Sequence, residues 1–250
     1  MPAVPAPESN ASEVERLHQA LAQERAEFQE FVYAVSHDLR APLRHINAFA
    51  KIIEEDWPDK PVEVERHLTT IRQSAQLLAQ QLDGLATLSR LGQQHMQLQA
   101  VDVSTLIQSL AAELSQRHAT RQVQWQLAQD VPQLQADSEL LRQLFLNLLD
   151  NAMKFTRDRH PAHIALSWSL APDEPGWCQL KLRDNGIGFA PAQAAQLFKV
   201  FAKLHPVREF EGLGLGLVAS RKLVQRLGGR IEITAQPDLG CQVTVILPLA

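Results

Sequence analysis

Cysteine is scarce in this chain. There are two in 250 residues, Cys178 and Cys241. Their placement has neither metal-site spacing nor the pattern of a disulfide framework, so both are expected to be free thiols in core or strand positions, in a reducing compartment such as the cytoplasm. Equally lacking is any apolar run near the roughly 20 residues that cross a bilayer, so no membrane span is expected. Residues 1–10 have no basic region followed by an apolar one, so this stretch is not expected to be a signal peptide. They are rich in Pro and Ala, and residues 1–12 read as a disordered tail. No block of five or more basic residues occurs, and the net charge is -4. Nucleic acid is therefore not expected as a partner, because phosphate backbones demand clustered Lys and Arg. What remains is ordinary for a soluble protein: 45% hydrophobic and 21% charged residues, in a length that holds one large or two modest domains.

A heptad trace opens the chain. Val14, Leu17, Leu21, Glu24, Phe28, Phe31 and Val35 alternate steps of three and four, with only Glu24 polar, as in a coiled coil. The trace then passes to Leu39, Leu43, Ile46, Ala50 and Ile53. Two successive steps of four (31, 35, 39) form a stutter beside His37, which unwinds a supercoil locally. Pro42 deprives the carbonyl of Asp38 of its donor and is expected to bend the helix. Residues 54–61 carry two prolines and break the helix. A second stripe follows in Val64, Leu68, Ile71, Ala75, Leu78, Leu82 and Leu85. Two amphipathic helices on a short turn make an antiparallel hairpin. Pairing two hairpins makes a four-helix bundle, so a homodimer is expected.

Residues 93–100 read as a linker. Beyond it the periodicity alternates between helix and strand. Helices are expected over residues 103–117, 138–155, 191–199 and 215–227. Strands are expected over 122–127, 163–170, 178–184, 230–235 and 241–247. That order predicts an α+β layer with helices on one face of a mixed sheet. The domain reading is a tail over 1–12, a coiled-coil entry and helical hairpin over 13–96, and a separate domain over 97–250.

Three groups of residues carry chemistry. His37 lies mid-helix between the apolar positions Val35 and Leu39, facing solvent or a docking partner. A neutral imidazole is a competent nucleophile near pH 7. Asp38 is placed to accept from the other ring nitrogen, although adjacent helical positions do not face each other squarely. Arg40 and Arg44 are candidates to hold an incoming phosphoryl group. A plain exposed helical histidine is the bland alternative; a proline five residues on, costing ~3 kcal/mol in a helix interior, argues for a reason beyond it. Second, Asn147, Asn151 and Lys154 share one helical face. Two amide oxygens and an ammonium suit Mg²⁺ and a triphosphate. Third, Asp184-Asn185-Gly186-Ile187-Gly188 ends a strand, and Gly212-Leu213-Gly214-Leu215-Gly216-Leu217 precedes a helix whose first N–H groups suit phosphate. Neither glycine element matches a Rossmann or P-loop pattern.

The order of these elements, from Ser36-His37-Asp38-Leu39-Arg40-Ala41-Pro42-Leu43 through the asparagine helix to the two glycine elements, resembles the transmitter region of bacterial sensor histidine kinases. The resemblance runs from about residue 28 to 249. The run Phe201-Ala202-Lys203-Leu204-His205 is most similar to the phytochrome-associated group. The resemblance implies an α+β multidomain fold: a long helical hairpin forming a dimeric four-helix bundle, then an α/β-sandwich (Bergerat-type) ATP-binding domain shared with gyrase, Hsp90 and MutL. It further implies that His37 is the phosphoacceptor and Asp38 its base or orienter, with ATP and Mg²⁺ as cofactors. On the same resemblance, Asn151 ligates the metal directly and Asn147 lines the same metal site, through water. Lys154 would neutralise phosphate, and Asp184 would accept from the adenine amino group. Gly186, Gly188, Gly212, Gly214 and Gly216 would let the backbone approach nucleotide. Phe201 and Lys203 belong by resemblance to a Phe-rich box, where Lys203 stands in a position frequently Arg, and residues 206–211 to an ATP lid. Members often carry Thr, Asn or Gln four residues after the histidine to align water for dephosphorylating a partner. Ala41 stands there, so that phosphatase route is not expected.

The function expected is therefore an ATP-dependent protein-histidine kinase of a two-component system. It would be cytoplasmic and homodimeric, autophosphorylating on His37 and passing the phosphoryl group to an aspartate of a response-regulator receiver domain. Its signal would come from an upstream sensor, in another chain or in a segment outside this one. Two rivals are a non-catalytic dimeric scaffold with an ATP-binding module, and a conformational ATPase of the same fold. The second lacks a counterpart to the histidine hairpin.

Overall fold

The structure is a computed structural model that describes residues 8–92, 95–172, 174–205 and 210–250. It separates into two compact units between Arg90 and Leu91. That division falls ahead of the 96/97 boundary expected from the linker. The second helix ends at Arg90, and the Leu91 carbonyl accepts from Arg226, deep in the second unit.

The first unit is a hairpin of α1 (Glu8–Asp56) and α2 (Val62–Arg90). Helix α1 starts inside the stretch expected as a tail, directly after Pro7, the last of three prolines at positions 2, 5 and 7. Nothing from Glu8 onward prevents helix until Pro42. Residues 1–7 lie outside the described residues. The helix is continuous across Pro42. At the turn, the Lys60 ammonium donates to the carbonyls of Glu54 (3.0 Å) and Trp57 (3.3 Å), closing the end of α1 as a cation does well. Arg72 of α2 pairs with Glu54 of α1.

The face that joins the two helices matches the expected stripe only in part. Val32, Ser36 and Ala50 of α1 and Leu68, Ala75 and Ala86 of α2 are buried. Phe31, Leu39, Ile46 and Ile53 are 45–63% exposed, and Ile71 and Leu78 of α2 are exposed too. Four of the six buried residues, Ser36, Ala50, Ala75 and Ala86, are small, which lets helix axes approach. The large apolar side chains are left on a neighbouring face.

The second unit runs β1 (Gln99–Val101), α3 (Val103–Arg117), β2 (Val123–Leu127), β3 (Leu134–Ala136), α4 (Ser138–Phe155), β4 (Ala162–Leu170), β5 (Trp177–Asp184), a 3-10 helix (Pro191–Gln196), α5 (Gly216–Arg226), β6 (Arg230–Gln236) and β7 (Gly240–Pro248). The sheet order is β2-β4-β5-β7-β6. Only β2 and β4 are parallel; the other neighbours are antiparallel. Residues Ile164, Leu166, Leu180, Leu182 and Val245 are buried on the sheet, and Leu141, Leu144, Leu148, Leu149 and Leu223 on the helices. Strand β4 alternates buried and outward positions from Ala162 to Leu166, as one covered face requires. Asp102 and Asp137 cap α3 and α4 through backbone N–H groups at 3.0 to 3.1 Å. The helix expected over 191–199 is a six-residue 3-10 turn. The strands β1 and β3, which pair with each other, are three residues each and too short to show a period. Cys178 is buried in β5 and Cys241 half-buried in β7, both as free thiols.

Candidate active site

His37 sits on α1 one residue after the buried Ser36, so the helical turn carries its side chain away from α2 and into solvent. It is 66% exposed and Asp38 is 81% exposed. The Nδ1 atom of His37 lies 3.2 Å from Asp38 Oδ1, close enough for a hydrogen bond despite their adjacency. Nδ1 carrying the proton leaves Nε2 with its lone pair free. Arg40 points elsewhere: its guanidinium binds Asp83 of α2 at 2.7 Å and 3.2 Å. It links the helices instead of waiting for a phosphoryl group. Ala41, one turn after His37, offers no polar atom.

In the second unit, α4, the loop after β5 and the segment before α5 enclose a cavity of about 280 Å³. Asn147, Asn151, Lys154, Gly188, Lys203, Gly212, Gly214 and Gly216 line it. These eight positions, scattered over seventy residues of sequence, converge on one space. The α4 stripe supplies its wall. The buried face of α4 (Leu144, Leu148, Leu149 and Ala152) turns the amides and the ammonium the other way. The glycine segment comes close to them. A Cβ on Gly212 would stand 3.3 Å from Lys154 Nζ, and one on Gly216 3.6 Å from Asn151 Nδ2. Gly214 has φ +73° and backs onto Ala202, whose carbonyl a Cβ would meet at 2.6 Å. Only glycine fits that turn. Among the described residues no side chain caps the start of α5, and N–H groups at a helix start suit an anion.

Electrostatics mark the cavity as an anion site. Burial pushes the Lys154 ammonium below its ordinary pKa, and the neighbouring Lys203 pushes it further, against the pull of Asp150 and Glu211. A half-buried cation beside a second cation is a poor arrangement until negative charge arrives. The ammonium also lies 4.7 Å from the centre of the Phe155 ring. A triphosphate fits these residues.

Asp184, Gly186 and Phe201 flank the cavity without lining it. Asp184, at the end of β5, is 8% exposed. Its Oδ1 accepts from the N–H groups of Gly186 (2.8 Å) and Cys241 (3.2 Å), and Cys241 does line the cavity. Burial outweighs both bonds and pushes the carboxyl up to about 6. Phe201 takes φ +62°, and its backbone packs against Gly214.

Two family models match this chain. The His Kinase A (phospho-acceptor) domain covers residues 29–94, and the Histidine kinase-, DNA gyrase B-, and HSP90-like ATPase covers residues 136–250. Cyanobacterial phytochrome A of Nostoc is 29% identical over 96% of this chain and 31% of its own length. The chain carries the phosphoacceptor and ATPase domains found in sensor histidine kinases. Methanogenesis regulatory histidine kinase FilI of Methanothrix harundinacea is 31% identical over 89% of the chain and 25% of that protein. The structure of full-length ShkA in complex with AMPPNP is similar with a TM-score of 0.61 and 26% identity, over 88% of this chain and 46% of that one. The chain thus spans about a third or less of the length of these curated relatives. The hairpin followed by an ATP-binding α/β domain is the architecture of this family.

Some lining residues carried no sequence signal of their own. Asp150 and Cys241 belong to no polar stripe. His205 and Phe210 form an aromatic triangle with Phe155, with ring centres 5.2 to 5.7 Å apart. Arg157 lies over Phe210 at 5.0 Å. The sequence placed His205 at the end of the Phe201–His205 run and Phe210 in the expected lid, but did not reveal their contact with Phe155. Of the expected lid, residues 206–209 lie outside the described residues, while Phe210 and Glu211 line the cavity. Among the described residues no helix is long and apolar enough to cross a membrane.

Proposed function

We propose that this chain autophosphorylates on His37 and hands the phosphoryl group to an aspartate of a response-regulator receiver domain. The observation that carries this reading is the convergence of the α4 stripe, the glycine segment and the half-buried Lys154, with the exposed Lys203 beside it, on one cavity, in a chain whose hairpin displays an imidazole with Nδ1 held by Asp38. Asn151 would hold Mg²⁺ directly and Asn147 would line the same site through water, since amide oxygens suit that ion. Lys154, Lys203 and the start of α5 take the phosphates, and Asp184 accepts from the adenine amino group. Gly186 and Gly188 shape the loop beside it, and Phe201 sets the turn that Gly214 needs. Positioning and charge neutralisation do most of the work in such a transfer. Nε2 of His37 uses its lone pair to form the N–P bond, the bond from the γ-phosphorus to the bridging oxygen breaks, and ADP leaves. Asp38 steadies the Nδ1 proton as the ring gains positive charge.

The partner surface follows from the hairpin. Phe31, Leu39, Ile46, Ile53 and Ile71 form an apolar face on a two-helix unit that cannot cover it. A second copy covers it in a homodimeric four-helix bundle, with residues 13–96 as dimerisation and phosphotransfer domain and 97–250 as catalytic domain. The working compartment is the cytoplasm, where ATP and receivers are found, and an upstream sensor supplies the signal.

Incubation with γ-labelled ATP and Mg²⁺ tests the reading. Acid-labile, base-stable label is expected on the wild type and none on His37→Gln, whose ATP affinity stays within a few-fold. ATP binding without any label supports the scaffold, and label persisting in His37→Gln removes the acceptor assignment.

A further inference from the structure

Tyr33 lies one turn before His37 on the same flank of α1, roughly opposite the exposed apolar face that includes Phe31 and Val35. The two rings are near parallel, 25° apart, with centres 6.4 Å from each other. That is the outer range of an offset stack. Side chains on a helix lean toward its N-terminus, so His37 leans onto the turn that Tyr33 occupies. Tyr33 is 58% exposed. It fills no core position, and packing within the hairpin does not call for it.

We propose that Tyr33 is a positioning residue for the phosphoryl-accepting imidazole, its ring forming a wall that holds His37 in the rotamer seen here. Two contacts then define the nucleophile. Asp38 engages Nδ1 at 3.2 Å and fixes the tautomer and the rotation of the ring plane. Tyr33 limits the swing of the whole side chain about its stem. Nε2, the nitrogen engaged by neither, is left outward in a narrow range of directions. An exposed histidine otherwise exchanges rotamers on the ps–ns scale. Confining it raises the fraction of encounters in which the lone pair is aligned with the γ-phosphorus. The ring face does this work, so the phenolic hydroxyl is dispensable. The inference rests on the acceptor assignment above.

The test uses the full chain with Tyr33→Phe and Tyr33→Ala. One readout is the rate of phosphohistidine formation at saturating ATP together with the KM for ATP. The other is the His37 tautomer and rotamer distribution, from long-range ¹H–¹⁵N correlations and side-chain couplings. Tyr33→Phe is expected within twofold of wild type in every readout. Tyr33→Ala is expected to slow the maximal rate about three- to tenfold, the range a stacked aromatic pair supports, at unchanged KM and unchanged sedimentation. Its His37 rotamers should average. A Tyr33→Ala rate equal to wild type, or His37 rotamers as narrow as in wild type, overturns the inference. So does a Tyr33→Phe loss as large as that of Tyr33→Ala, which would assign the effect to the hydroxyl. If His37→Gln still takes label, the acceptor assignment fails on its own; the spectroscopic comparison reports on the ring wall either way.

Discussion

Replacing Asp184 by Asn should move stability and nucleotide affinity in opposite directions. The carboxyl is raised from 3.8 to about 6 by burial. Its folded-state pKa therefore lies above its unfolded one. Between about pH 4 and pH 6 the folded state binds the proton more tightly, so this group makes the fold less stable as pH rises through that window. Above pH 6 the full cost is present, on the order of 3 kcal/mol for a shift near two units. Asn carries no charge to desolvate. Its amide oxygen can keep both backbone bonds that Oδ1 now accepts, from Gly186 and Cys241. At pH 7.5 the nucleotide-free variant should melt no lower than wild type, and the gap should close toward pH 4. Binding should suffer. The amide NH₂ then occupies the position of Oδ2 and opposes the adenine amino group, donor against donor. Losing a charge-assisted bond and leaving a buried donor unpaired costs roughly 2–3 kcal/mol, or about a hundredfold in Kd. In the wild type, ATP affinity should fall as pH drops through about 6, while the variant shows no such step. Calorimetry at pH 7.5 and 5.5, with thermal melts of both proteins, measures all of this. An ATP affinity within threefold of wild type, or a variant that melts well below it at pH 7.5, would refute the assignment of Asp184 to adenine.

Lys154→Met should leave the nucleotide-free fold at least as stable, since burial and Lys203 both disfavour the charge it removes, yet weaken ATP binding at least about tenfold; a variant that binds ATP like wild type would take the lysine out of the phosphate site. Leu39→Glu, on the exposed apolar face, should convert a sedimenting dimer to monomer at micromolar concentration without loss of helical signal, and a monomeric wild type at tens of micromolar would contradict the bundle. Wild-type protein with ADP should not hasten loss of phosphate from a cognate phospho-receiver, because Ala41 has no group to align water, whereas Ala41→Thr should hasten it; rapid loss with wild type, retained in His37→Gln, would show that another group aligns the water.

The long elements were legible because each repeats its period several times. The eighteen residues of α4 present five turns of apolar spacing, and β4, β5 and β7 alternate or run apolar for eight or nine residues. Strands β1 and β3 and the 3-10 turn have no repeat to read. The hairpin face misled for a different reason. Ala50, Leu68 and Ala75 of the expected stripe are buried in the hairpin, but so are Val32, Ser36 and Ala86, which lie outside it, while most of the stripe's large side chains are not. The large side chains that dominate the pattern point to a surface a single chain does not bury. An apolar stripe therefore does not by itself report which face packs within the hairpin; the coordinates do.

The cavity shows the complementary limit. Backbone-driven positions were readable, since Gly188 and Gly214 adopt positive φ where a Cβ would collide with backbone at 2.0 and 2.6 Å; no other residue satisfies such a turn, so its identity survives in sequence as glycine. Positions that act through placement were not. Cys241 is an ordinary strand residue until its N–H is seen to hold Asp184, and Arg40 looked ready for phosphate until Asp83 was found across the hairpin. In each case the deciding partner lies forty or more residues away in sequence, and no local pattern encodes it. Tyr33 was missed on other grounds. Its partner is only one turn away, so the pair was within reach of a sequence reading. It escaped because an exposed aromatic four residues before a histidine has many ordinary explanations. Only the near-parallel rings set it apart from an ordinary solvent-facing side chain.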